Sequence, residues 1–351
     1  MPQTLHIYYF SGTGNAKNVA TRIHLKAAEY GVNSCISDLS QIDRKNIPAP
    51  AEDEEIGFVS PTHGFNFPPV TMYFILRFPR TKCKNRVFVV NTRAGMKMGK
   101  FFLPGLSGIA LWLAVIALWF KGYEIVGLRS VDLPSNWISL HPGLREKVVL
   151  SIQERCNAIT DQFAGDMFSG KRNYRALYDI VQDVLVCPVA VLYFFIGRVF
   201  LAKTFFVNSK CNNCDVCVKG CPVQAIKKVS NQPYWTFKCE SCMKCMNTCS
   251  QRAIETGHGY VFGLLYLINT VGAVVFWKYF SKFELFTEYG TVSYILHQLV
   301  DAALTLLLFM IGYRLIHYLK RLVILKQIIE YTSLTRYVFW RRYKFDKYKK
   351  K

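Results

Sequence analysis

Eight cysteines between Cys211 and Cys249 fall into two runs of one spacing, Cys211-x2-Cys214-x2-Cys217-x3-Cys221 and Cys239-x2-Cys242-x2-Cys245-x3-Cys249. Thiolates are the ligands of iron–sulfur clusters, and a doubled run of this kind holds two [4Fe–4S] cubes. Three cysteines at two-residue intervals let one tight loop aim three sulfurs at a single cluster, while the fourth reaches the other cluster. The expected ligand sets are Cys211, Cys214, Cys217 and Cys249 for one cube, and Cys239, Cys242, Cys245 and Cys221 for the other. Zinc would ask for paired CxxC motifs. Disulfides would ask for an oxidising compartment, and the chain opens without a secretory signal.

Pro222 follows Cys221, and Ala225-Ile226 and Ala253-Ile254 sit at matching offsets after each run. On these residues the stretch of roughly 205–256 resembles the bacterial-type two-cluster ferredoxins. The resemblance implies a small α+β ferredoxin domain. Ser250 departs from that pattern, standing where a proline is usual. Proline would fix the backbone there, whereas serine can bond locally.

With 351 residues the chain can hold two or three domains. The apolar run Leu5–Phe10 reads as a buried strand, leading through Ser11-Gly12-Thr13-Gly14-Asn15-Ala16-Lys17 into a helical pattern. A strand feeding a Gly/Ser/Thr loop that opens a helix is a phosphate cradle, because free N–H groups and the positive helix end point at the anion. Further strands are predicted at 33–38, 55–60, 86–91 and 123–130. Helices are predicted at about 14–29, 69–79, 107–120 and 142–165. This alternation implies a parallel sheet covered on both faces. Two more loops then follow strand ends, Pro61 to Pro69 and Asn91 to Met96.

That set of loops resembles flavodoxin across residues 3–165. The resemblance implies a doubly wound α/β sheet of order 2-1-3-4-5 holding FMN. Ser11, Gly12, Thr13, Gly14 and Asn15 would take the phosphate. Thr62, His63, Gly64 and Phe65, with Asn91, Thr92, Arg93, Ala94 and Gly95, would flank the flavin ring. Phe65 or Phe67 is the candidate for ring stacking, Arg93 a candidate partner of reduced flavin, and His63 chiefly a loop-fixing hydrogen bonder. The loop from Ser135 to Gly143 would cover the flavin edge. No GxxxxGK[ST] and no complete GxGxxG is present, so neither a P-loop nor a direct NAD(P) site is expected. A flavodoxin-like unit joined to a two-cluster ferredoxin unit resembles a class of fusion electron carriers.

Two apolar stretches follow. Gly259–Trp277 carries no charge and Thr291–Tyr313 only Asp301, each near the 20 or so residues that span a bilayer. They predict a transmembrane hairpin. A carboxylate such as Asp301 inside a span usually pairs or serves a proton path. The formal charge is +21, and the tail from Arg314 holds twelve basic residues against Glu330 and Asp346. The positive-inside rule then puts the tail, and with it both redox units, in the cytoplasm. Such charge beside a span has a nearer partner in lipid headgroups than in nucleic acid.

The expected organisation is 1–168 flavodoxin-like, 169–206 an apolar helical linker, 207–257 ferredoxin-like, 258–319 the hairpin and 320–351 a basic amphipathic tail. Residues 106–120 are apolar all round, and their outer face must meet a helix or lipid. The linker, broken at Pro188, reads as lying along the membrane or on 106–120. His258 and His317 bracket the hairpin as candidates for haem or quinone, or as plain interfacial residues. The whole predicts a membrane-anchored carrier passing electrons among FMN, two clusters and an outside redox partner. The alternative is an oxidoreductase acting on a quinone or small molecule.

Overall fold

The computed structural model describes residues 4–272, 274, 278, 290–320 and 322–345. Its first half alternates strand and helix: β1 (Thr4–Tyr9), α1 (Asn15–Glu29), β2 (Asn33–Asp38), β3 (Glu54–Pro61), α2 (Pro69–Arg77), β4 (Arg86–Met98), β5 (Phe101–Leu103), α3 (Ala110–Phe120), β6 (Glu124–Pro134) and α4 (Glu146–Phe168). The five parallel strands run in the order β2-β1-β3-β4-β6. This is the expected doubly wound, flavodoxin-like order 2-1-3-4-5 counted over parallel strands. The small β5 is an antiparallel addition on the far end of β4.

Both faces of the sheet are dry. Ala16, Ala20 and Ile23 of α1 and Ile152 and Phe163 of α4 close one face. On the other, Val70 and Phe74 of α2 and Leu111, Ala114 and Leu118 of α3 pack on Phe58 and Val89. Alanines on α1 let that helix sit close to the strands. Aromatic rings fill the opposite side, with Phe58 and Phe78 edge to face at 5.2 Å, a geometry worth about 0.5–1.5 kcal/mol beyond area burial. The outer side of α3 is as apolar as expected and stays exposed at Leu113, Ile116, Trp119 and Phe120.

From Arg175 to Ala202 the chain is one helical rod of 28 residues, including a π turn at Tyr193–Gly197. Pro188 does not break it. At 1.5 Å per residue it is roughly 40 Å long, and it is long and apolar enough to cross a membrane. It packs on the flavodoxin-like unit, where Trp112 Nε1 donates to Asp183 (2.9 Å) and Gln182 Nε2 to Gly105 O (3.2 Å).

The cysteine-rich unit pairs β7 (Phe205–Val207) with β10 (Ile254–Thr256), and β8 (Ile226–Val229) with β9 (Gln232–Trp235), both antiparallel. Its backbone repeats every 28 residues, as the cysteines do. Asn213 and Ser241, Asp215 and Met243, and Gln224 and Arg252 are matched positive-φ pairs. Short helices Val216–Lys219 and Lys244–Thr248 follow each run's left-handed residue.

The first hairpin segment forms the helix His258–Leu267 and a π turn Ile268–Gly272. The remainder to Trp277 and the loop to Tyr289 lie largely outside the described residues. The second forms the helix Gly290–Leu319, within which Gln298–Leu319 is long and apolar enough to cross a membrane. Asp301 lies in that helix, its side chain outside what is described. The tail differs from expectation. Only Val323–Tyr331 is an α-helix; beyond it come a 3-10 turn at Leu334–Arg336 and irregular chain, with Trp340, Tyr343 and Phe345 buried. The expected basic amphipathic tail is thus corrected to a short helix and a strap, because these aromatics pack on protein. The last residues, 346–351, lie outside the described set.

Candidate functional site

The carboxyl ends of β1, β3, β4 and β6 border a recess that opens to solvent. Ligands of doubly wound sheets bind at this edge. Ser11, Gly12, Thr13, Asn15, Thr62, His63, Thr92, Arg93 and Ala94 line it, as does Trp137.

The first loop is built as a cradle. Gly14 holds φ 105°, a left-handed conformation that L side chains rarely adopt, and its N–H donates to Ser11 Oγ at 3.1 Å. Thr13 Oγ1 accepts from Asn136 Nδ2 at 2.6 Å, and Asn15 Nδ2 donates to Pro134 O at 2.9 Å. The first turn of α1 contains no acidic residue, so its positive end faces the cavity unopposed.

In the second loop, Gly64 and Phe65 both have positive φ. They form the tight turn of a two-residue bridge, His63 N to Asn66 O at 2.8 Å and Asn66 N to His63 O at 3.2 Å. His63 is 5% exposed, and burial pushes its imidazole down to about 4. It is neutral, and its backbone fixes the turn. Phe65 leans on Gly108 and Phe67 is in the core at 2% exposure, so neither lines the cavity. The candidate ring partner is instead Trp137, whose indole lies 5.5 Å from the Tyr193 ring. Tyr193 itself covers Gly64.

The third loop is corrected. Asn91–Gly95 is the continuation of β4, registered with Ser130–Pro134 of β6. Asn91 bonds Thr62 Oγ1 and Ser107 Oγ within the protein, and Gly95 backs on Asp132. Arg93 is 6% exposed, its Nε 2.6 Å from Asp132 and its Nη1 2.6 Å from Asp179. Burial works against its charge, but the two carboxylates hold the guanidinium above its usual range. Two carboxylates neutralise it, which removes the reason to assign it to an anionic flavin.

Sequence reasoning placed Trp137 only in a loop over the flavin edge and missed the junction it joins. Its Nε1 donates to Ser241 O at 3.2 Å, Val70 N donates to Glu240 Oε1 at 2.9 Å, and a Cβ on Gly12 would collide with the Cys242 carbonyl. The phosphate-type loop thus rests on the second cysteine run. Glu240 is buried there and its carboxyl is pushed up to about 8. The tail seals the other side: Phe345 N donates to Thr13 O (3.0 Å), Tyr343 N to Asn247 Oδ1 (2.7 Å), and Trp340 Nε1 to Ile138 O (2.6 Å).

All twelve cysteines are free. Cys211, Cys214, Cys217 and Cys249 line one recess, together with Cys245. Burial pushes the Cys217 thiol up, with Cys211 and Cys249 as neighbours that push it further, and does the same to Cys245, whose neighbours are Cys239, Cys242 and Cys221. The fourth cysteine of each run therefore sits with the other run's first three. Ala225 N donates to Cys221 Sγ (3.2 Å) and Ala253 N to Cys249 Sγ (3.3 Å), the same bond at the same offset. Among the described residues no three His, Cys, Asp or Glu converge around a single ion. One zinc gathers its sulfurs at about 2.3 Å from one point, whereas a cube carries its thiolates on separate corners.

The histidines flanking the apolar helices are not a pair. His258 Nε2 bonds Ser139 O at 3.0 Å and its Nδ1 accepts from Leu334 N at 3.2 Å, leaving no nitrogen for a haem. His317 packs against Tyr234 and Tyr313.

No family model and no curated protein matches this chain. Among solved structures, it is similar over 48% of its length to a Streptococcus pneumonia TIGR4 flavodoxin, at 16% identity, 99% coverage of that chain and a TM-score of 0.34. A flavodoxin from the domain Archaea matches 46% of the chain at 14% identity, 97% coverage and a TM-score of 0.30. Rubredoxin oxygen:oxidoreductase from Desulfovibrio gigas matches 48% at 12% identity, covering 36% of that chain with a TM-score of 0.32. The flavodoxin-like fold rests on the strand order and alternating helices themselves.

Proposed function

We propose that this chain is a membrane-anchored electron carrier holding FMN at the sheet edge and two [4Fe–4S] clusters on the cysteine runs. The observation that carries this reading is the seat of Gly12 on Cys242. A phosphate cradle and a cysteine set have been folded into contact, and electron passage needs such proximity. FMN exchanges electrons singly or in pairs and each cube singly, so the pair converts one regime into the other.

The cradle fits a phosphate monoester: Thr13 and Ser11 supply hydroxyls, Gly12 and Gly14 allow close backbone approach, and the α1 dipole favours the anion. Trp137 would supply an apolar wall, and His63, neutral, would hold the loop without adding charge. On the cluster side, Cys211, Cys214, Cys217 and Cys249 would hold one cube and Cys239, Cys242, Cys245 and Cys221 the other.

For the membrane, two contacts support one arrangement. The Gly12–Cys242 seat favours both redox units on the same face, with the rod Arg175–Ala202 between them, long and apolar enough to cross, lying along that face instead. The tail bonds to Thr13 and Asn247, so the chain between the cysteine unit and the tail crosses an even number of times, as a hairpin does. By the positive-inside rule the basic tail favours the cytoplasm for these units. The rod and α3 lie at the membrane surface through Val184, Leu185, Phe195 and Trp119, all exposed.

The test is photochemical reduction of the flavin in anaerobic protein. Visible cluster absorbance should bleach in step with the flavin. Clusters that stay oxidised while the flavin is reduced would contradict the reading.

A further inference from the structure

The two cysteine runs repeat every 28 residues, yet they meet opposite surroundings. In the second run Glu240 and Ser241 are buried, Glu240 accepting from Val70 N and Ser241 Oγ donating to Arg198 O at 3.2 Å. At the matching positions of the first run, Asn212 and Asn213 stand exposed. Cys214 beside them is exposed, and the apolar Val216 is 54% exposed. One repeat thus faces the flavodoxin-like unit and the other faces outward.

The rim of the outward repeat is basic. The recess that holds Cys211, Cys214 and Cys217 shares Cys249 and Ser250 with a second recess, lined by Arg252, Arg341 and Lys344. Arg252 donates to the Tyr337 and Trp340 carbonyls and Arg341 to the Gly143 carbonyl. A carbonyl satisfies a donor but leaves the charge uncancelled. Among the described residues no carboxylate forms an ion pair with Arg252, Arg341 or Lys344. Lys210, next to Cys211, is exposed as well. Glu146 is the acid that lines the second recess.

We propose that this rim docks an acidic redox protein, which exchanges single electrons with the chain at the first cysteine run. Complementary charge steers such encounters and fixes their orientation. Each encounter moves one electron and no atom, so the partner's centre is reduced by one as the chain is oxidised by one. An anionic lipid surface would be drawn to the same cations, but it has no centre to accept an electron beside Cys214. The proposal rests on the two-cluster carrier reading above and names its outside partner by charge.

The test uses the full chain purified anaerobically in neutral detergent, with an acidic plastocyanin and the basic cytochrome c as probes. Binding is read first, with all proteins oxidised. Plastocyanin should bind saturably at about 0.01 M salt, where charges act over roughly 30 Å, and about tenfold more weakly at about 0.15 M, where they act over roughly 8 Å. Cytochrome c should not bind. Lys344→Glu combined with Lys210→Glu should weaken plastocyanin about tenfold, whereas Lys171→Glu, an exposed charge beyond the end of α4, should leave it within twofold. After photoreduction, the rate at which plastocyanin copper goes from Cu(II) to Cu(I) should follow the same order, and Val216→Asp should slow it. Binding that ignores salt, equal binding of cytochrome c, or equal losses in Lys171→Glu would overturn the proposal. So would a double variant that loses phosphatidylglycerol vesicles but keeps plastocyanin, which would assign the rim to lipid. Iron and flavin content reads the carrier assignment separately: protein with both clusters and no salt-dependent docking fails this proposal alone.

Discussion

Tyr343 donates its hydroxyl to Asn15 Oδ1 at 2.6 Å, across 328 positions of sequence. The same hydroxyl accepts from Gln153 Nε2 at 3.3 Å. The C-terminal strap is thereby tied into the loop that opens α1. In Tyr343→Phe, Asn15 keeps its bond to Pro134 but its buried oxygen loses its donor. The expected loss is about 1–3 kcal/mol in urea unfolding of the flavodoxin-like unit, with faster flavin dissociation. Unchanged stability would mean that the strap is a passive cover.

The cross-over of the fourth cysteines predicts an asymmetric mutant pair. Cys249→Ser should damage the cube held by Cys211, Cys214 and Cys217, although Cys249 follows the other run. Cys245→Ser should damage the cube held with Cys221. Each variant should retain about four of eight irons, and EPR of the two reduced variants should show the two different surviving clusters. Identical residual spectra would refute the assignment.

Gly12→Ala places a methyl group against the Cys242 carbonyl. Overpacking of this kind costs about 1–3 kcal/mol, and here the loop and the second cysteine run must separate to relieve it. Flavin-to-cluster electron transfer, followed by flash photolysis, should slow while iron content is kept. A transfer rate equal to wild type would show that the contact does not set the path.

His63 is buried and neutral, and its folded value near 4 lies below the unfolded value of about 6.5. Below pH 6.5 the unfolded chain binds a proton that the folded state refuses. The stability contributed by keeping the ring neutral is therefore complete above pH 6.5 and falls as pH drops toward 4. The loss amounts to about 3 kcal/mol. In His63→Gln the thermal midpoint should vary less across that window. Parallel pH profiles for the two proteins would contradict this.

Much of the fold was legible because its signals are local. Buried parallel strands read as apolar runs, and β1 and β3 lie within about a residue of where the pattern puts them, as α2 does from Pro69. The end of β4 was not legible. Asn91–Gly95 looks like a polar loop, yet it is held in the sheet by β6 and by the Arg93–Asp132–Asp179 ion pairs, which are long-range. Phe65 and Phe67 have the right type and place in sequence for a ring partner. A two-residue turn at Gly64-Phe65 and core packing of Phe67 take them out of the cavity. The tail misled for a related reason. Basic residues around apolar ones suggest a headgroup-bound helix, but Arg342 donates to the Met246, Arg252 and Ile254 carbonyls and Trp340 to Ile138. No local periodicity reports such partners.

The most direct measurement is the metal and flavin content of the full chain purified anaerobically in detergent. The account predicts about eight irons, eight acid-labile sulfides and one FMN per chain, with no zinc. Colourless protein, or zinc in place of iron, would contradict it.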